Sequence, residues 1–168
     1  QVHFEYADGT PAKRSYSLAT IHDHALGPGD AVEIAVSFVP GGAATALFEG
    51  MALGDHISGS GPFGRFCLQP GDHNARYVLI ATGTGVTPYR SMLPQLQAAM
   101  VERGVEVVLL QGARRPEELL YSDDFYAFAA ANPGFRYMPC LSRELPENPH
   151  ADVRKGYVQQ QLAEIAPD

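Results

Sequence analysis

The chain has 168 residues, 45% hydrophobic and 18% charged, with 17 glycines and 13 prolines. That is enough to bury one good core or two small ones, and it is too apolar for a disordered chain. Twelve basic against 19 acidic residues give a formal charge of −7, which argues against a nucleic-acid or anionic-membrane surface. No apolar run approaches the roughly 20 residues of a spanning helix. Glu5, Asp8, Lys13, Arg14 and Asp23 stand where a signal peptide would be apolar, so a cytoplasmic location is expected. Cys67 and Cys140 show no CxxC spacing, so neither a disulfide framework nor an iron–sulfur or zinc cluster is read. Each is expected as a small buried hydrophobe. His22 and His24 read as surface turn residues rather than ligands, and no metal site is expected.

Up to about Leu68 the pattern is strand-like. Short apolar or alternating runs over 2–6, 31–39 and 55–58 are separated by Asp8-Gly9-Thr10-Pro11, Gly27-Pro28-Gly29-Asp30 and Pro40-Gly41-Gly42. Strands at that spacing predict a small antiparallel β-barrel. From about Ala75 the period changes. A continuous apolar run over 76–81 leads through Gly83-Thr84-Gly85 to a helix over about 87–103, which Gly104 ends. A second apolar run over 105–110 precedes a helix over about 123–131, and a third over 135–141 precedes a final helix around 158–165. Strand and helix in alternation predict a parallel α/β domain, buried on both faces. The stretch 70–74 is the natural linker, so the chain divides into domains at 1–72 and 73–168. Nine of its 12 basic residues fall after residue 73.

Three motifs carry chemistry. The turn Ala81-Thr82-Gly83-Thr84-Gly85-Val86-Thr87-Pro88 has two glycines that let a ligand approach the backbone, and a helix starting near Pro88 aims its free amides at that spot. It lacks the Lys-Ser/Thr ending of a P-loop and the third glycine of the common dinucleotide fingerprint. Taken alone, it is also a plausible ligand-free strand-to-helix turn. Arg14-Ser15-Tyr16-Ser17 on a strand would set Arg14 and Tyr16 on one face, a guanidinium for phosphate beside a ring for a flat heterocycle. The alternative there is a plain barrel strand with a solvated arginine. Gly61-Pro62-Phe63-Gly64-Arg65-Phe66 is read as a turn entering an apolar strand.

In this order, with 47 residues from Arg14 to Gly61 and 22 from Gly61 to Gly83, the three motifs resemble the ferredoxin–NADP reductase superfamily over essentially the whole chain. The resemblance implies an FAD-binding barrel followed by an NADP-binding α/β domain. It implies that Arg14 holds the flavin pyrophosphate, that Tyr16 packs on the flavin or its ribityl chain, and that Ser17 acts catalytically by hydrogen-bonding near the reactive N5. Gly42-Ala43-Ala44-Thr45 matches a stretch whose amides face the pyrophosphate, and Gly83, Thr84, Gly85 and Pro88 would line the nicotinamide dinucleotide. The family has strand residues ahead of the position of Gln1 and a last strand with a Cys-Gly-x-Pro-like turn; on that comparison the chain is expected to be truncated at both ends.

The choice of nucleotide is argued from charge. A ribose 2′-phosphate wants arginine or lysine, whereas a 2′-hydroxyl wants an acidic acceptor after the second strand. That position reads Gln111-Gly112-Ala113-Arg114-Arg115, with no carboxylate before Glu117. Ser142-Arg143 and Tyr157-Val158-Gln159 are similar to the Ser-Arg and Tyr-x-Gln elements of NADP-specific members. Arg143 and Tyr157 are the leading candidates, with Ser142, Gln159 and Arg114 behind them. The expected activity is hydride transfer between NADP(H) and FAD, with electrons passed singly to a ferredoxin- or flavodoxin-like acceptor. Two alternatives stand beside it: the reductase component of an oxygenase system, and a flavin- or nucleotide-binding regulatory module that reduces nothing. Electron acceptor, direction and oligomeric state are not read.

Overall fold

The computed structural model describes residues 1–6 and 8–165. The first sheet is antiparallel and three-stranded. β1 (Val2–Glu5) pairs on one side with β2 (Pro11–Arg14), from Val2 opposite Arg14 to Glu5 opposite Pro11, and on the other with β3 (Ser58–Gly59). The β1–β2 turn is closed by local polar bonds: the Thr10 amide donates to the Asp8 carboxylate at 2.9 Å, and the Tyr6 amide to the Thr10 carbonyl at 2.9 Å. Aspartate in that place offers the backbone the partner a turn needs.

The strand expected over 31–39 does not form. Its backbone pairing is limited to one antiparallel bridge, Leu18 with Ile34, where the Ala19 amide donates to the Glu33 carbonyl at 2.8 Å. The Glu33 amide is taken by the Thr20 hydroxyl at 2.7 Å, which removes a donor the ladder would use. Without a continuous neighbour, Val32, Phe38 and Val39 remain exposed, since β propensity expresses packing against a partner rather than an intrinsic backbone preference. Next comes the helix α1 (Ala43–Glu49), which begins within the 42–45 stretch whose amides the resemblance sets toward a pyrophosphate. Gly61 to Phe66 also runs on as irregular chain rather than entering a strand.

The second sheet is parallel, in the order β4 (Arg76–Thr82), β5 (Glu106–Ala113), β6 (Phe135–Leu141), β7 (Arg154–Lys155). Alternation along β5 divides the core. Val107 and Leu109 face a cluster with Leu79, Leu96, Phe125 and Tyr137, under the helices between strands. Val108 and Leu110 face a smaller one with Met138, Cys140, Val158 and Ile165. Full burial of each such side chain stabilises by about 1.5–3 kcal/mol. The helix expected over 87–103 is two helices, α2 (Thr87–Ser91) and α3 (Leu93–Arg103), joined at Met92. Pro94 is the cause: it has no N–H for the Arg90 carbonyl and its ring crowds that carbonyl. Gly104 ends α3 in the left-handed conformation, φ 67°, as read. α4 (Ser122–Ala131) packs on β6, and the C-terminal stretch is a 3₁₀ turn over Val158–Gln161 followed by α5 (Leu162–Ile165). Cys140 is buried as expected, but Cys67 is exposed. Among the described residues no helix is long and apolar enough to cross a membrane, and no group of three or more His, Cys, Asp or Glu is placed to hold a metal ion.

Candidate active site

Ligands of open parallel sheets sit outside the carboxyl ends of the strands, and those ends gather most of the candidate residues. After Thr82 the chain turns through Gly83–Val86. Gly83 has φ +52°, and a Cβ built on it would meet nothing within 4 Å; one on Gly85 would meet only Ala81, at 4.0 Å. Buried Thr87 closes the turn, its hydroxyl donating to the Thr84 carbonyl at 2.6 Å. The turn is therefore rigid beneath and open above, a backbone surface that a pyrophosphate can approach. Pro88 lies in the first turn of α2. Because α2 has five residues and stops at Met92, the long-helix dipole expected behind this turn is absent, and the open glycines carry the fit.

The neighbouring strand ends carry the cations. Ala113 is level with Leu141, and Leu141 with Lys155. The Ser142 and Arg143 amides donate to the Ala113 and Arg114 carbonyls, both at 3.0 Å, so Arg114, Ser142 and Arg143 share one edge. Gly156, at φ +109°, turns the chain just beyond β7 and leaves Tyr157 63% exposed with Gln159 exposed beside it. The arginines differ in availability. Arg114 is engaged by Glu118, Nε to Oε2 at 3.0 Å and Nη2 to Oε1 at 2.8 Å, a pairing that holds the Glu118 carboxyl below its ordinary range. Arg115 stands between Glu117 at 3.8 Å and Glu144 at 3.7 Å. Arg143 is exposed and has no carboxylate partner among the described residues. This set fits a phosphate-bearing nucleotide, with Arg143 as the free cation and Tyr157 as the free ring.

The N-terminal candidates are arranged differently from the sequence expectation. β2 ends at Arg14, so the period-two alternation does not reach Tyr16, and the two side chains go to different neighbours. Arg14 donates to the Tyr6 hydroxyl at 3.2 Å and lies 5.9 Å from the Phe4 ring centre; Tyr16 packs edge-on against Phe48 of α1, centroids 5.9 Å apart. Arg14 and Ser17 are exposed, and Tyr16 is half-buried. Thr45 is buried, and its hydroxyl both donates to the Val39 carbonyl at 2.9 Å and accepts from the Val39 amide at 2.8 Å. The Gly42 amide is likewise given to the Val39 carbonyl, at 2.9 Å. Gly42 and Thr45 therefore close a turn instead of presenting their own groups outward. A groove of about 790 Å³ between β1 and α1, lined by Phe4, Tyr6, Gly42 and Ala43 among others, opens beside them. The exposed guanidinium of Arg14, without a carboxylate partner among the described residues, fits an anionic phosphate here.

Two features escaped the sequence reading. Gly112 at the end of β5 has no room for a side chain: a Cβ would stand 2.9 Å from Thr82 Cγ2 and 3.1 Å from Val158 Cγ1. Arg90, two positions past Pro88, reaches from α2 to Asp124, Glu33 and the Ala19 carbonyl. The signal for Arg90 was a charge inside an otherwise uncharged helix start; its partners are far away in sequence.

Comparison with known proteins agrees with this architecture. The family model described as oxidoreductase NAD-binding domain matches residues 79–168, more than half of the chain, and that described as oxidoreductase FAD-binding domain matches residues 1–67. The reductase subunit of an aromatic O-demethylase from Amycolatopsis is 36% identical over 163 residues, covering 95% of this chain and 46% of the relative. Ferredoxin–NADP reductase B of Sorangium cellulosum is 35% identical over 158 residues, 94% of this chain and 60% of the relative. A crystal structure of an Amycolatopsis cytochrome P450 reductase superposes with a TM-score of 0.77 at 33% identity, over 99% of this chain and 48% of the other. The chain thus spans about half the length of the relatives it matches. An antiparallel unit matching the FAD-binding model and a parallel unit matching the NAD-binding model make the chain a member of the ferredoxin–NADP reductase superfamily of FAD-dependent oxidoreductases.

Proposed function

We propose that this chain is the FAD- and NADP-binding part of a reductase that takes a hydride from NADPH and passes electrons singly to a protein acceptor. The units are 1–72 for the flavin and 73–168 for the nucleotide. The observation that carries the reading is the open Gly83–Val86 turn on the same strand-end edge as Arg143, which has no carboxylate partner among the described residues, and an exposed Tyr157. In this reading Gly83, Thr84, Gly85 and Pro88 present backbone to the pyrophosphate. Arg143, with Ser142 and Gln159, takes the 2′-phosphate, and Tyr157 stacks on the adenine. Arg114 contributes less, since it must first give up Glu118. Arg14 holds the flavin pyrophosphate, Tyr16 flanks the flavin, and the Ser17 hydroxyl donates near N5; Gly42 and Thr45 support this site by fixing the turn before α1. FAD, when bound, supplies the conversion between two-electron and one-electron transfer, and the protein supplies orientation and a dry site. No acid–base pair is required of the chain.

For the acceptor, a small electron carrier of the ferredoxin or flavodoxin kind and the oxygenase component of a multicomponent system use the same chemistry. Relatives named as reductase components of phenol and propane monooxygenases, 33–36% identical, favour the oxygenase system. Anaerobic titration of the FAD-loaded protein with NADPH, and separately with NADH, tests the proposal. Bleaching of the visible flavin absorbance at lower NADPH than NADH is expected. A protein that takes up no FAD, or whose flavin stays oxidised with both nucleotides, overturns it; the second outcome leaves a regulatory binding module.

A further inference from the structure

Arg90 is the most heavily engaged side chain where the two units meet. Its Nε donates to Asp124 Oδ2 at 2.6 Å, and its Nη1 donates to the Ala19 carbonyl at 2.8 Å and to Glu33 Oε2 at 2.9 Å. The face of Tyr121 lies 4.4 Å from the guanidinium carbon. One planar group thus joins α2 and α4 to two segments of the N-terminal unit, 71 and 57 positions away along the chain. The side chain is only 16% exposed, so these acceptors replace solvent and are not incidental surface pairs. A lysine ammonium at this place would lack the flat fork that serves several acceptors and a ring together.

The support behind Arg90 is fixed. Tyr121, just ahead of α4, holds φ 59°, a left-handed conformation that costs a non-glycine residue of order 1 kcal/mol and persists where the surroundings dictate it. The preceding segment is pinned from the core: Gln111 Nε2 donates to the Leu120 carbonyl at 3.1 Å, and the Tyr137 hydroxyl to Gln111 Oε1 at 2.6 Å. Gln111 and Tyr137 are buried. A second contact supports the same junction, Phe66 against Tyr89 with centroids 5.6 Å apart.

The position of this bracket along the chain points to its use. Arg90 is on the short helix that begins directly after the Gly83–Val86 turn, and Thr87, which closes that turn, lies on the same helix. On the other side, Ala19 is two residues beyond Ser17. The guanidinium therefore links the turn assigned to the nicotinamide dinucleotide with the segment assigned to the flavin. We propose that Arg90 is a positioning residue that sets the separation of nicotinamide and flavin through its bonds to Ala19 and Glu33. The inference rests on the flavin-reductase reading and adds to it a residue that touches neither cofactor. Glu33, Asp124 and Tyr121 are its partners in the role.

The test uses Arg90→Lys, Arg90→Gln and Glu33→Gln in the FAD-loaded protein. Glu33→Gln is the variant that keeps the proposal falsifiable if an Arg90 variant fails to fold, because the Glu33 side chain is 48% exposed. Three quantities are read: the flavin-bleaching rate at saturating NADPH, the Kd for adenosine 2′,5′-bisphosphate together with FAD content, and amide hydrogen exchange over 18–20 and 33–35. Expected are unchanged affinity and FAD content, faster exchange in both segments, and a bleaching rate lowered about 10- to 100-fold, the scale of an ångström of misplacement. Unchanged rate and exchange in the folded variants overturn the proposal, as does a loss of rate matched by loss of FAD or of bisphosphate affinity. Should the unmodified FAD-loaded protein not be bleached at all, the reductase reading fails by itself. The exchange measurement then still decides the bracket, which is refuted if Glu33→Gln leaves residues 18–20 as protected as before.

Discussion

Replacing Arg143 by alanine separates the charge argument for NADP from every other feature of the nucleotide unit. The side chain is exposed and has no carboxylate partner among the described residues, so its removal leaves no buried charge uncompensated and costs the fold little. What is lost is a charge-assisted hydrogen bond to a 2′-phosphate, about 1.5–3 kcal/mol. At about 1.4 kcal/mol per decade, that weakens NADPH roughly 10- to 150-fold while leaving NADH near its original affinity. Arg114→Ala is the internal control. Arg114 is already bonded to Glu118 at 2.8–3.0 Å, and recruiting it to phosphate gains only the difference between two carboxylate- and phosphate-type bonds, so its loss is smaller. Calorimetric titration with adenosine 2′,5′-bisphosphate and with AMP reads the difference without turnover. Equal weakening of both ligands by Arg143→Ala, or a larger effect from Arg114→Ala, would refute the reasoning.

Gly112→Ala should lower the melting temperature, because the new methyl meets Thr82 Cγ2 at 2.9 Å and Val158 Cγ1 at 3.1 Å, an overpacking of about 1–3 kcal/mol; adding Thr82→Ser, which deletes Cγ2, should recover part of it, and a melting temperature unchanged by Gly112→Ala counts against the packing described. Glu164 is held down to about 2 from 4.5, chiefly by its hydrogen bond from Arg154. Its contribution to stability is therefore complete above pH 4.5 and lost as the pH falls toward 2; Glu164→Gln should flatten the decline of denaturation midpoint between pH 5 and pH 3, and an unaltered slope contradicts the assignment. Under reducing-agent-free native conditions one thiol per chain, Cys67, should react quickly with an aromatic disulfide reagent, while Cys140, buried and pushed up to about 11 by that burial, should react only on unfolding; two fast thiols would place Cys140 wrongly.

The nucleotide unit was legible because its signals are local. Three of the four parallel strands, β4 to β6, are continuous apolar runs bounded by glycine or a charge, whereas β7 is only Arg154–Lys155 and has no such signal; the strand ends bring Arg114, Ser142, Arg143 and Tyr157 together by topology alone. Even the break at Met92 had a written cause in Pro94. Where the outcome depends on what faces a segment, the sequence said less. The run at 31–39 has the composition of a strand but finds one bridge partner, and the alignment of Arg14 with Tyr16 assumed a strand that ends two residues too soon. Thr45 carries the right hydroxyl, yet local geometry commits it to Val39. The stretch after β5 offers no carboxylate before Glu117, which says nothing of how the chain turns next: the turn over Pro116–Glu118 folds Glu118 back onto Arg114. Arg90 is the clearest omission: bonds spanning 34 to 71 positions leave no periodic trace.

In the proposed reaction the hydride passes directly from nicotinamide to flavin across the junction that Arg90 spans. Rapid anaerobic mixing of the FAD-loaded protein with NADPH deuterated at the transferred nicotinamide position tests it most directly. The visible flavin bands should bleach more slowly than with ordinary NADPH, because the C–D bond breaks in the transfer itself. Equal rates with labelled and unlabelled NADPH, or bands that never fade with either nucleotide, would contradict it.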